Sequence, residues 1–267
     1  MAGTGLLRFA RVGSRTVVER ALATSPLKML NPRASDRAAW VYTSTHGGGL
    51  VGGDAIHLTL DVEADARAVL ATQSFTKIYR STRSASQQVT ARVGDEALLV
   101  VAPDPTVCFA GSSFRQDQCY DLSRSGSLVV LDWMTSGRRA MGERWAFDRY
   151  EGRLELRRDG RTILYDTIRL SQDDGPIVER MRRFNVWATV VVIGPLVAES
   201  AARLTAEISS LPVAPRSDLI ISAAPLGIDG ALLRIAALST EQVSIVLRQH
   251  LRFLRTHLGG ELWSRKW

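Results

Sequence analysis

Short β-branched segments, separated by Gly, Asp, Ser and Pro, recur through the first two-thirds of the chain, and no long amphipathic stripe competes with them. The clearest is Ile56-His57-Leu58-Thr59-Leu60-Asp61-Val62. Its strict alternation has the period of two that places Ile56, Leu58, Leu60 and Val62 on one face of a strand. Comparable segments at residues 16–21, 40–43, 68–72, 88–93, 97–101, 127–133, 153–156 and 163–170 predict further strands. Many short strands at such spacing favour a sandwich, a barrel or a β-solenoid over an α/β sheet. The last third changes character. Residues 195–211 carry Val197, Ala201, Leu204 and Ile208 at helical spacing, and residues 240–258 repeat the pattern, so two helices are predicted there. Between them, residues 219–221 and 231–235 predict two strands joined by a turn at 227–230. Ser239 with Gln242 three residues on forms a capping box, Glu241 suits the first turn, and Gly259-Gly260 a stop. The expectation is a mainly β, layered architecture with two helices toward the C-terminal third, in a single domain over residues 1–267.

With 45% hydrophobic residues over 267 positions, the chain can bury a sizeable core, which excludes disordered and fibrous classes. The basic excess, 34 Lys and Arg against 27 Asp and Glu, is almost all arginine, since Lys28, Lys77 and Lys266 are the three lysines. It is scattered in small clusters (Arg138-Arg139, Arg157-Arg158, Arg180 to Arg183) rather than gathered on one arm, which argues against nucleic-acid binding. Cys108 and Cys119 form no C-x-x-C pair, so neither a disulfide framework nor a zinc knuckle is expected, and a reducing cytoplasm fits best. The first 14 residues lack the apolar core of a signal peptide. The longest apolar stretch, 186–197, is broken by Gly194 and Pro195 and falls short of the roughly 20 residues a membrane span needs.

The most unusual local feature is Gly47-Gly48-Gly49-Leu50-Val51-Gly52-Gly53-Asp54. A phosphate-binding loop would have to open a helix, whereas this run opens the strand at Ile56, so a tight turn with close backbone approach is the expectation. Asp54 either caps amides of that turn or points into a cavity. There is no P-loop and no G-x-S-x-G elbow, and His46, His57, His250 and His257 form no ligand pattern. His46, beside the glycine run, is read as a turn histidine bonded to backbone. The polar string Ser136 to Trp145 after Leu131-Asp132-Trp133 suggests a buried network in which arginines pair Asp132 and Glu143. A carboxylate pair drawn from Asp54, Asp132, Glu143 and Asp166 would support a β-rich hydrolase. A purely structural module contacting an acidic partner through its arginines is the third reading.

Read in order, several motifs resemble the UreD (UreH) family of urease accessory proteins along nearly the whole chain. They are Pro26-Leu27-Lys28 with Pro32, the glycine run to Asp54, Thr72-Gln73-Ser74-Phe75-Thr76-Lys77-Ile78-Tyr79, and Pro103-Asp104-Pro105-Thr106-Val107-Cys108-Phe109. Phe114-Arg115-Gln116-Asp117-Gln118, Leu131-Asp132-Trp133-Met134-Thr135-Ser136-Gly137-Arg138 and Gly142-Glu143-Arg144-Trp145 complete the central block, and the closing Leu262 to Trp267 also fits. His46 departs from the proline or glycine that many bacterial members carry there. The resemblance implies a mostly β, solenoid-like fold with two helices and a non-enzymatic maturation factor. Such a factor binds apo-urease and, through UreF, the GTPase UreG, and passes nickel toward the urease active site. Matching the family's conduit positions are Asp54, Thr76, Asp132 and Asp166, with no cofactor held permanently and Ni²⁺ only in transit. Six His and Cys residues with no cluster agree with that chemistry, since oxygen ligands release Ni²⁺ more readily than imidazole or thiolate. Phe253, Leu254, Trp263 and Trp267 are candidates for an exposed apolar surface, with core packing the competing reading.

Overall fold

The computed structural model describes residues 1–32 and 37–263. The strands are β1 (Ala2–Val12), β2 (Arg15–Ala23), β3 (Leu27–Leu30), β4 (Ala39–Thr45), β5 (Ala55–Val62), β6 (Arg67–Thr72), β7 (Thr76–Ile78), β8 (Ala85–Val93), β9 (Leu98–Ala102), β10 (Thr106–Cys108), β11 (Ser113–Leu122), β12 (Ser127–Thr135), β13 (Arg149–Arg158), β14 (Arg161–Ser171), β15 (Val186–Ile193), β16 (Leu219–Leu226) and β17 (Gly230–Ala237). The helices are α1 (Ile177–Met181), α2 (Ala198–Ser209), α3 (Thr240–His250) and α4 (Leu254–Leu258).

From β4 to β13 the chain passes back and forth between two sheets. One has the order β14-β13-β11-β8-β5-β1-β2, and the other runs β16-β17-β15-β12-β9-β6-β4-β3, with β10 and β7 attached beyond β12. Strands β1, β5, β8, β11 and β13 are parallel to one another, as are β4, β6, β9 and β12. A parallel pair needs a crossover, and here each crossover is a strand of the opposite sheet, so the chain coils as a solenoid. Its corners stack by backbone hydrogen bonds: Gly94 N donates to Val62 O and Ser123 N to Val93 O, each at 2.8 Å, while Leu98 N donates to Ala66 O and Ser127 N to Ala97 O, each at 2.9 Å. Antiparallel neighbours β2, β3, β14, β15, β17 and β16 complete the two sheets.

The alternation of β5 holds, with Ile56, Leu58, Leu60 and Val62 all buried. They face Val89, Val93, Tyr120 and Leu122 of their own sheet's inner surface and Leu70, Leu99 and Val130 of the other sheet in one apolar cluster. The outer face of the second sheet carries a separate cluster, where Trp40, Val69, Val100 and Leu131 lie under Leu204 and Ile208 of α2, Val243 and Leu247 of α3, and Leu254 and Leu258 of α4. The result is three layers: sheet, sheet, helices. Strand β12, in the middle layer, is buried along its whole length.

The predicted helix over 240–258 is two. Leu251 leaves helical geometry at φ −96°, ψ 10°, and the chain re-enters a short helix at Leu254. The break keeps Leu247, Leu251, Leu254 and Leu258 all against the outer cluster. The capping box at Ser239 and Gln242 forms as expected, and Gly259 ends α4 in the left-handed region. Leu254 is core, and Phe253 and Trp263 are half-buried against that core. Trp267 lies outside the described residues. Among the described residues no helix is long and apolar enough to cross a membrane, and both cysteines are free thiols.

Candidate functional site

The inner faces of the two sheets are not apolar throughout. On β11 the positions between inward Phe114 and Tyr120 are Gln116 and Gln118, and on β12 the position between inward Val130 and Met134 is Asp132. The two glutamines reach across from one sheet to the other: Gln118 Nε2 donates to Asp132 Oδ2 at 3.1 Å, and Gln116 Nε2 to Asp132 Oδ1 at 3.4 Å. Tyr120 Oη donates to Gln118 Oε1 at 2.8 Å, which fixes the Gln118 amide with its donor toward the carboxylate. Asp132 is thus held by neutral amides, and the arginine pairing expected for it does not occur, because Arg138 turns to Glu143 instead. Amides satisfy lone pairs without cancelling the charge. Burial accordingly pushes the Asp132 carboxyl up to about 6, a rise that the Gln116 hydrogen bond opposes and nearby Asp166 supports.

Two buried hydroxyls beside this carboxylate, Tyr150 Oη and Thr189 Oγ1, have no hydrogen-bond partner among the described residues. Thr189 is opposite Asp132 on β15, and the charge of Asp132 contributes to raising the Tyr150 phenol, whose main cause is burial. Gly152 makes room for that phenol, since a Cβ there would lie 2.9 Å from Tyr150 Oη and 3.0 Å from Ile168 Cγ2. Buried polar atoms that protein leaves unpaired are the exception in a folded chain and mark a place where something polar can be met.

Followed along the ladders, the polar residues form a seam across the strands. Gln87 is opposite Gln116, and it lines a cavity of about 40 Å³ with Thr43, Thr72, Ser74 and Thr76. That is enough for two or three waters. On the other side of Asp132, Thr189 is opposite Arg234, whose Nη2 meets Asp166 Oδ1 at 2.8 Å between the two sheets. Arg234 is nearly half exposed, so the seam reaches solvent at that end. Beyond the cavity, Phe75 also borders an open groove of about 540 Å³ lined by Lys77, Phe109, Arg138 and Met141.

Of the four positions singled out from sequence, Thr76, Asp132 and Asp166 fall on this seam. Asp54 is placed differently. It is buried at the end of the glycine turn, where Oδ2 accepts from Val51 N and Oδ1 from the Met1 amine, both at 3.1 Å, and it does not line the cavity. The turn itself uses its glycines for both expected reasons. Gly47 has φ +81°, and a Cβ on Gly49 would come within 2.6 Å of Lys77 O. His46 donates its backbone N–H to Pro26 O at 2.9 Å, and its side chain is exposed. Glu143 pairs with Arg138 and accepts from Ala110 N at 3.1 Å, so it braces its own loop away from the seam. A hydrolytic pair would therefore have to be Asp132 with Asp166, and Asp166 is neutralised by Arg234. Gln87, Gln116, Gln118, Tyr150 and Thr189 were missed as site residues from sequence. The one signal for the glutamines was polar residues at inward positions of a strand. Among the described residues, no three His, Cys, Asp or Glu side chains gather closely enough to hold a metal ion.

A family model described as UreD urease accessory protein matches residues 1–267. The chain is 47% identical over 266 residues to the urease accessory protein UreD of Sorangium cellulosum (strain So ce56), covering 100% of this chain and 85% of that one. It is 44% identical over 266 residues to the urease accessory protein UreD of Anaeromyxobacter sp. (strain Fw109-5), covering 99% and 89%. Over 289 residues it is 35% identical to the urease accessory protein D of Oryza sativa subsp. indica, covering 97% and 94%.

Proposed function

The chain belongs to the UreD family of urease accessory proteins, which places it in urease maturation, and we propose that it acts there without catalysis of its own, as a scaffold and a nickel conduit. As a scaffold it binds apo-urease together with UreF and the GTPase UreG in the cytoplasm. As a conduit it lets Ni²⁺ cross between its two sheets toward the urease active site. The observation that carries the conduit reading is the buried polar seam with the Asp132 carboxyl at its centre, held by the amides of Gln116 and Gln118.

The chemistry of such a seam suits cargo rather than a resident ion. A carboxylate with amide and hydroxyl neighbours attracts a hydrated divalent cation by charge and offers hard oxygen ligands, which hold Ni²⁺ less tightly than imidazole or thiolate. Passage requires attraction strong enough for entry and weak enough for exit, and spaced single sites meet both conditions. The cavity at Thr72, Thr76 and Gln87 has room for water around the ion, Asp132 supplies the charge midway, and Asp166 offers a second carboxylate near solvent once Arg234 swings aside. Asp54 contributes by holding the glycine turn that borders the cavity through Gly48.

The test is nickel content of urease produced with UreE, UreF, UreG and nickel, with and without this chain. Metal loading that depends on the chain is the expected result. Urease loaded equally well without it would overturn the proposal, and so would turnover of glycoside substrates by the chain alone, which the hydrolase reading requires.

A further inference from the structure

At the end of the sheets where the β1–β2 hairpin turns, four arginines and a histidine surround one concavity of about 350 Å³: Arg11, Arg15, Arg37, Arg67 and His257, with Asp65 on the same wall. Several arginines elsewhere are met by acids at close range. Arg8 is met by Glu19, Asp61 and Glu63, Arg115 and Arg153 share Asp117, and Arg158 takes Asp229. In the concavity Asp65 reaches only Arg11, at 3.8 Å, and Arg15 and Arg37 have no ion-pair partner among the described residues.

Arg67 is the fixed member. Its Nη1 donates to the carbonyls of Asp65, Ala66 and Glu96, so one edge of the guanidinium is pinned to the solenoid corner while Nε and Nη2 make no bond among the described residues. The charges also feel one another. Burial lowers the Arg67 pKa; Asp65 and Glu96 oppose that shift, while Arg11 and Arg37 add to it. Burial likewise lowers His257, with Arg67 pressing in the same direction. Like charges gathered on a partly desolvated wall repel, and an anion among them relieves that repulsion. Guanidinium forks converging from separate elements match the geometry of phosphate oxygens. The volume lies at the lower end of the roughly 300–1,000 Å³ of small-molecule sites. Among the described residues, no Phe, Tyr or Trp lines the wall.

We propose that this concavity between the β1–β2 turn, the first solenoid corner and α4 is a binding site for a small, multiply charged phosphate compound, recognised through its phosphates. The site is remote in composition from the seam, and its occupancy is a property separate from nickel passage.

The probe is inorganic pyrophosphate, titrated calorimetrically into the full chain at constant ionic strength, with sulfate as the comparison anion. Saturable one-to-one binding of pyrophosphate, tighter than sulfate, is expected. Arg15→Gln with Arg37→Gln changes two exposed side chains and should weaken binding by about tenfold or more. Arg169→Gln, on the far edge strand β14, should leave it unchanged. Absence of saturable binding, or equal weakening by Arg169→Gln, would overturn the assignment. Because the readout is anion binding alone, its failure is distinguishable from failure of the nickel reading.

Discussion

Replacing Asp132 with asparagine should make the protein more stable at neutral pH and not at acid pH. An exposed aspartate has the ordinary value of 3.8, and burial moves Asp132 up to about 6. The folded state therefore binds this proton more tightly than the unfolded state does. Stability from the group is complete below the unfolded value and is lost as pH rises through the folded one. The difference, about two pH units at 1.36 kcal/mol each, makes the ionised carboxylate cost about 3 kcal/mol at neutral pH. An asparagine in its place would carry no charge, but its amide nitrogen must face one of two donors, and Tyr120 prevents Gln118 from turning round. An imperfect hydrogen bond returns about 1 kcal/mol. The net expectation for Asp132→Asn is a gain of about 2 kcal/mol near pH 8 that disappears near pH 4. Urea unfolding of both proteins across this range measures it, and groups that titrate identically in the two cancel in the difference. A stability difference independent of pH would refute the reasoning, because it would mean that Asp132 is not a buried charge.

Other consequences follow from packing. Gly52→Ala would drive a methyl group into Ser81 Oγ and the Arg83 carbonyl and should cost about 2–3 kcal/mol. Gly47→Ala meets open space and only the strain of φ +81°, costing about 1 kcal/mol, so the two midpoints in denaturant should separate. Burial pushes the Cys108 thiol up to about 12, whereas Cys119 is partly accessible, so alkylation of the native chain followed by peptide mapping should find Cys119 modified and Cys108 protected until unfolding. Ser239→Ala removes the acceptor for Gln242 N and should lower stability by about 1 kcal/mol, read from thermal unfolding.

Among the strands legible in the sequence, β5 is the clearest because its two faces differ: one side meets the core and the other solvent. β12 announced burial but not its orientation, since both of its faces are covered, one by a sheet and one by helices. β11 was illegible because Gln116 and Gln118 occupy inward positions and break the period that would have revealed the strand. The residues that make the seam thus hid the element that carries it. Asp132 and Thr76 came from motif resemblance, which gives positions without partners. The amides that hold Asp132, and the absence of an arginine there, depend on how two distant coils stack, and no local spacing encodes that. The arginine concavity is equally non-local, since Arg11, Arg37, Arg67 and His257 belong to four separate segments brought together at one corner.

The central claim is that nickel crosses the sheets along the seam, and its most direct test is the nickel content of urease matured with Asp132→Ala in place of the wild-type chain. Co-purification of the variant with urease and UreF should be unchanged, because Asp132 is buried between the two sheets. The account predicts an intact assembly that delivers markedly less nickel per active site. Wild-type nickel content from the variant would contradict it.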